Sequence, residues 1–302
     1  MSDEKVQIYL CEQDSTAMFF PKTWGKLDKW ACFDLDWTLT FPMKSLYHHP
    51  ADDIHLLPGR KEKLLSLYFD HHLVIFTNQL AKRKERPNII ARIRNFLLQI
   101  ELPIFIFISF EQDSFRKPER GLFDLASKVI SPPKELFYVG DAVGRPQDFS
   151  NSDRLFAEKI QAKLYTPEEF FPPVIPEMKF PNKSLILLGG PPGSGKSTFA
   201  RKYLSDWTIL ESDVVGKKLK PLAEQHLKTG QNLVIDATNA NRDDFNRMAQ
   251  QYGYTVYNFY FARNGYAFNQ LREKPVPKIA YFVYYKKFVP FTEKEKVSYI
   301  WY

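Results

Sequence analysis

The chain has 302 residues, 44% hydrophobic and 16% aromatic. That is enough to bury two separate cores, and it excludes a disordered or fibrous protein. Two cysteines, Cys11 and Cys32, are too few for a disulfide scaffold and too far apart for a paired metal-ligand motif, which points to a reducing compartment. A net charge of +7 favours an acidic partner such as nucleic acid. No apolar run approaches the roughly 18 residues of a membrane span, and Met1–Lys5 has no leader signature. A soluble intracellular protein of nucleus or cytoplasm is expected, with no membrane partner.

Residues 1–23 show no clear period and read as an extension packed on the first domain. The apolar run Trp30-Ala31-Cys32-Phe33 predicts a buried strand ending in Asp34-Leu35-Asp36-Trp37-Thr38. Just past a strand end two carboxylates can turn toward one pocket, one toward a metal and one free for proton transfer. Residues 41–59 form a small insert, too short to cap the site against large substrates. A second strand, His71–Gln79, ends in Thr77 and Asn78. The basic run Lys82-Arg83-Lys84-Glu85-Arg86 reads as a solvated loop, a localisation signal or a phosphate contact, and leads into a helix over 88–99. Arg116-Lys117-Pro118 brings a lysine to a helix start, and Leu136–Asp141 is a strand closing on Gly140-Asp141.

This order, Asp-x-Asp, then Thr, Lys and Gly-Asp, resembles the haloacid dehalogenase superfamily of phosphatases. The resemblance implies Asp34 as nucleophile and Asp36 as general acid and base. It implies Mg²⁺ on Asp34, the Asp36 carbonyl and Asp141, with Thr77, Asn78 and Lys117 holding the phosphoryl group. Trp37 stands where the superfamily usually has glycine or another small residue; it can pack or line the substrate mouth. Further segments narrow the resemblance: Phe76-Thr77-Asn78-Gln79, Val139-Gly140-Asp141-Ala142, Asp148-Phe149-Ser150 and Asp153-Arg154-Leu155-Phe156-Ala157. Together these are similar to the polynucleotide kinase 3′-phosphatase family, in a form without the N-terminal forkhead-associated module. In that family Asp153 sits beside the metal-site aspartate.

Residues 172–183 carry four prolines and read as a stiff spacer. Beyond it, Ser184–Gly189 predicts a buried strand, and Gly190 to Ser197 fits G-x-x-x-x-G-K-[ST]. Gly190, Gly193, Ser194, Gly195, Lys196, Ser197 and Thr198 are the candidate ATP-binding residues, with Lys196 on the β/γ-phosphates and Ser197 on Mg²⁺. The loop alone leaves ATPase, GTPase and kinase open. Two later strands end in Asp213 and Asp236. A hydroxyl acceptor needs a base within reach, and Asp213 is the candidate; the other reading makes it a helix N-cap. By resemblance Asp236 and Asn239 support metal or substrate, and Arg272 is a lid arginine. Gln270 replaces the second arginine of the family pattern, while Arg263 lies on the far side of the lid segment.

The expected fold is α/β: two doubly wound parallel-sheet domains, a haloacid dehalogenase-like phosphatase over 24–171 and a P-loop kinase over 184–302. The expected function is end healing: 3′-phosphate hydrolysis and ATP-dependent 5′-hydroxyl phosphorylation, using Mg²⁺. The partners are nucleic-acid strand-break ends, DNA ahead of RNA, and a ligase with other repair proteins; the expected state is a monomer. A fusion acting on nucleosides or small metabolites and an end-binding scaffold without turnover are the competing readings.

Overall fold

The computed structural model describes residues 8–12, 14–45 and 50–302. Residues 1–7, and with them the leader reading of Met1–Lys5, lie outside these, as do residues 46–49 of the small insert. The chain divides into two compact units, residues 1–42 with 48–172, and residues 43–47 with 173–302. Among the described residues no helix is long and apolar enough to cross a membrane.

The first unit runs β1 (Ile8–Glu12), β2 (Thr16–Pro21), β3 (Lys29–Phe33), β4 (Thr40–Phe41), β5 (His55–Leu56), α1 (Arg60–Tyr68), β6 (His72–Asn78), α2 (Arg86–Ile100), β7 (Phe105–Ser109), α3 (Gly121–Val129), β8 (Glu135–Val139), α4 (Ser152–Lys159), β9 (Lys163–Tyr165) and α5 (Pro167–Phe170). Its main sheet has the order β1-β2-β7-β6-β3-β8-β9. From β7 to β9 all pairs are parallel, whereas β1 pairs β2 and β2 pairs β7 antiparallel. The expected parallel sheet is present from β7 to β9, and two antiparallel strands extend one edge. Within the segment read as an extension packed on the first domain, Ile8–Glu12 and Thr16–Pro21 are strands of the sheet itself.

The parallel strands read as continuous apolar runs because both faces are covered. On one face Trp30, Cys32, Val74, Phe76, Phe105, Phe107 and Tyr138 pack against Leu122 and Ala126 of α3 and Phe156 of α4. The strand order reverses at β3, which has β6 on one side and β8 on the other. At such a switch point the loops leaving neighbouring strands diverge and open a crevice at the carboxyl ends. Register does the rest: Phe33 lies opposite Ile75 and Val139, so Asp34, Thr77 and Asp141 emerge at one sheet edge.

The second unit runs β10 (Ser184–Gly189), α6 (Lys196–Tyr203), β11 (Thr208–Glu211), α7 (Ser212–Val215), α8 (Leu219–Leu227), β12 (Leu233–Asp236), α9 (Asp243–Tyr252), β13 (Thr255–Phe261), α10 (Gly265–Asn269), α11 (Lys278–Lys287) and β14 (Val297–Ile300). Its sheet, β11-β12-β10-β13-β14, is parallel throughout. Alternate residues of β10 serve opposite cores: Leu185 and Leu187 face α8 and α9, Ile186 and Leu188 face α6. Here the order reverses at β10, so its loop faces the crevice. The proline segment, read as a stiff spacer, packs on the second unit from Val174 onward. Val174 exchanges two backbone hydrogen bonds with Trp301, at 2.6 and 3.1 Å, and Ile175, Met178 and Phe180 pack on the β10 core.

Candidate active sites

In the first unit, Asp34 leaves β3 with its N–H donating to the Val139 carbonyl at 2.8 Å, which anchors it between strand ends. Lys117 approaches from the β7–α3 connection and is buried. Its Nζ donates to Asp34 Oδ1 at 2.6 Å, to Asp153 Oδ1 at 2.8 Å and to the Tyr138 hydroxyl at 2.8 Å. Asn78 fixes that connection: its amide donates to the Lys117 carbonyl and accepts from the Lys117 N–H, both at 3.0 Å. Asp153, in the first turn of α4, also accepts from the Tyr138 hydroxyl at 2.9 Å and from the Ala142 N–H at 3.0 Å. Gly140 must lack a side chain, because a Cβ there would come within 2.5 Å of the Asp153 carboxylate.

Asp34, Asp141 and Asp153 offer carboxylate oxygens that all lie within 4.8 Å of one another. Lys117 bridges two of them. Burial pushes the Asp34 carboxyl up to about 7 against the pull of Lys117, and Asp141 rises well above the carboxylate range through burial and its acidic neighbours. Lys117 keeps its proton more tightly than a free lysine, the two aspartates outweighing its burial. Packed anions that resist ionisation together are the donor set a hard divalent cation fits.

Asp36 is not one of the three clustered carboxylates but lines the same cavity. Its Oδ2 accepts from Gln79 Nε2 at 2.6 Å and its Oδ1 from the buried Arg92 at 2.5 Å. Gln79 also donates to the Thr77 hydroxyl at 2.8 Å. Asp36 and Thr77, with Trp37, Arg116, Phe149 and Ser150, line a cavity of about 580 Å³. Gln79, Arg92, Tyr138 and Arg116 were not singled out from sequence. The neighbouring motifs Thr-Asn-Gln and Arg-Lys-Pro held the signal for Gln79 and Arg116; Arg92 and Tyr138 had none. In the basic run, Arg86 is tied to the Asp14 carbonyl and to Glu111 at 2.5 Å, which makes it a structural residue.

The second site is built from backbone. Gly193 has φ +80° and packs so closely on α10 that a Cβ would meet the Gly265 carbonyl at 2.3 Å. The Tyr281 hydroxyl donates to the Pro192 carbonyl at 2.9 Å, and Tyr302 donates to the Gly195 carbonyl at 2.7 Å, holding the loop from outside. Lys196 is buried, with Nζ donating to the Gly190 and Pro191 carbonyls at 2.9 and 2.8 Å and to Ser194 Oγ at 3.3 Å. Burial lowers its affinity for the proton to about 8. Asp236 ends β12 beside Ser197, which hydrogen-bonds it; burial nonetheless raises its carboxyl, and Oδ2 has no hydrogen-bond partner. An orphaned buried carboxylate oxygen next to a P-loop hydroxyl fits a cation site.

Gly193, Gly195, Lys196, Ser197, Thr198, Asp213 and Asp236 line one cavity of about 730 Å³, with Arg263 and Arg272. Asp213 is not the N-cap of α7. Glu211 holds that position, and Asp213 sits in the first turn, exposed, 3.7 Å from Arg272. Arg263 lies over Phe268 at 3.6 Å, so two arginines reach the cavity although Gln270 ends α10. Asn239 stands apart: its backbone has φ +45°, and its amide donates to the Leu188 and Ile235 carbonyls at 2.8 and 3.1 Å. It braces β10 against β12.

Comparison with known proteins then decides the family. The Polynucleotide kinase 3 phosphatase model matches residues 29–171, and an AAA domain model matches residues 185–228. The chain is 32% identical to a bifunctional polynucleotide phosphatase/kinase of Schizosaccharomyces pombe, over 78% of this chain and 67% of that protein. The chain belongs to the bifunctional polynucleotide phosphatase/kinase family. A polynucleotide 3′-phosphatase of Arabidopsis thaliana is 32% identical over 52% of this chain and 26% of its own length. An uncharacterized protein of Autographa californica nuclear polyhedrosis virus is 37% identical over 48% of this chain and 87% of its own length.

Proposed function

We propose that the chain heals nucleic-acid ends, its first unit hydrolysing a 3′-phosphate and its second phosphorylating a 5′-hydroxyl with ATP. The observation that carries this is the presence, in one chain of this family, of the Lys117-bridged aspartates and a complete phosphate loop facing Asp213. Its products are the ends a ligase joins, so repair of DNA breaks is the setting, with a ligase as the partner. Each unit supplies its own site residues, so a monomer in nucleus or cytoplasm suffices.

In the first step Asp34 attacks phosphorus and the bond to the 3′ oxygen breaks, Asp36 giving that oxygen its proton. Asp36 then takes a proton from the water that cleaves the aspartyl-phosphate. Lys117, Thr77 and Arg116, which line the cavity, hold the transferring oxygens in this reading, and Asp153 with Tyr138 keeps Lys117 aimed at Asp34. In the second unit Asp213 accepts the proton of the attacking hydroxyl. Lys196, Arg263 and Arg272 draw off charge as the γ-phosphoryl moves. Bound Mg²⁺, on Asp34, Asp141 and the Asp36 carbonyl in one site and on Ser197 with Asp236 in the other, would neutralise the repulsion between anions.

The test is an oligonucleotide bearing a 3′-phosphate and a 5′-hydroxyl against the matching 3′-mononucleotide, with ATP and Mg²⁺. Preferred turnover of the oligonucleotide at both ends supports the reading. Equal or faster turnover of the mononucleotide points to small metabolites.

A further inference from the structure

Trp37 has φ +62°, a left-handed backbone conformation that is costly for a bulky side chain. The turn leaves it no choice: its N–H donates to the Thr40 carbonyl at 2.7 Å and the Leu39 N–H closes on the Leu35 carbonyl at 2.9 Å. Glycine would take this geometry without strain. Trp37 lines the cavity of Asp34 and Asp36, as does Phe149, a residue 80% exposed. Among the described residues no aromatic ring packs against either. A half-buried indole kept at a conformational cost and an exposed phenyl ring, both at a charged cavity, want a flat apolar partner.

We propose that Trp37 and Phe149 form a base-stacking subsite, taking the nucleobase of the 3′-terminal nucleotide. The proposal rests on the end-healing reading and deepens it. Trp37 directly follows Asp36, the residue that protonates the departing 3′ oxygen, and lines the same cavity, so the terminal nucleotide that carries this oxygen comes close to it. Arg116 lines the same cavity with a buried Nη1 that has no hydrogen-bond partner, a cation available to the strand's phosphate. Stacking does not distinguish bases by hydrogen bonding, so the subsite would prefer a base over none with little preference among the four.

The experiment compares two single-stranded oligonucleotide 3′-phosphates, one with an ordinary terminal nucleotide and one whose terminal nucleotide is an abasic tetrahydrofuran. Stacking predicts a preference for the base-bearing end of roughly five- to a hundredfold in kcat/KM, expressed in KM. Trp37→Gly, which the turn accommodates, reduces that ratio to about two or less, and Phe149→Ala reduces it part-way. An unchanged ratio in Trp37→Gly, or no preference in the parent enzyme, overturns the subsite and leaves the substrate reading standing. Absence of turnover on both oligonucleotides overturns the substrate reading, and the subsite with it.

Discussion

The two sites sit at equivalent switch points of two parallel sheets and are built in opposite ways. The phosphatase site gathers side chains from distant places: Lys117 lies 83 residues from Asp34 and 36 from Asp153, and the charges are buried together. The kinase site is largely one stretch of backbone, Gly190 to Thr198, whose shape is held by hydroxyls and a tight glycine contact. The first is therefore vulnerable to the loss of a single charge and sensitive to pH. The second is held mainly by shape, and its exposed charges enter from the lid.

The strongest break of this contrast is Lys117→Met. It leaves Asp34 and Asp153 buried without their cation, a loss of about 3–5 kcal/mol when one member of a buried pair is removed. Phosphatase activity should fall at least about a thousandfold, while ATP-dependent phosphorylation below the melting transition stays at the parent rate. Calorimetry and the two end-labelled assays read these outcomes.

On the kinase side, Arg272→Ala should lower kcat by about a thousandfold, as arginines that stabilise a transferring phosphoryl do. Gln270→Ala, at the position where an arginine was expected, should change it less than about twofold. A large effect at Gln270 would shift the lid assignment.

The smallest effect is in pH. Asp34 ionises near 3.8 in the unfolded chain and near 7 in the folded one, so the folded state holds its proton longer. Its contribution to stability is full below about pH 4 and lost as pH rises to 7. In metal-free protein Asp34→Asn removes this loss, and the gain in melting temperature over the parent grows between pH 5 and 7, on the order of a few degrees. Mg²⁺ should raise the parent's melting temperature more at pH 8 than at pH 6, since it binds the ionised carboxylates.

What was legible in the sequence follows the same divide. The apolar runs ending in Asp34, Thr77, Asp141 and Asp236 announced parallel strands, and the phosphate loop announced itself because its function is local. Residues whose role depends on a distant partner were silent. Arg92 sits among the apolar positions of α2, and Asp36 is 56 residues away. Tyr138 reads as one more buried strand residue until Lys117 and Asp153 meet its hydroxyl. The antiparallel edge of β1 and β2 carried no regular alternation, and the four prolines hid the docking of Val174 on Trp301. Asn239 was a metal or substrate residue by resemblance alone; its amide, on a left-handed backbone, donates to the Leu188 and Ile235 carbonyls of the sheet.

The central claim is that one chain holds two separable chemistries. A single duplex with a labelled 3′-phosphate and a 5′-hydroxyl, incubated with ATP and Mg²⁺, tests it with two variants. Asp34→Asn should abolish 3′-phosphate release and leave 5′-phosphorylation at the parent rate, and Lys196→Ala should do the reverse. Loss of both activities in either folded variant, or retention of 3′-phosphate release in Asp34→Asn, would contradict it.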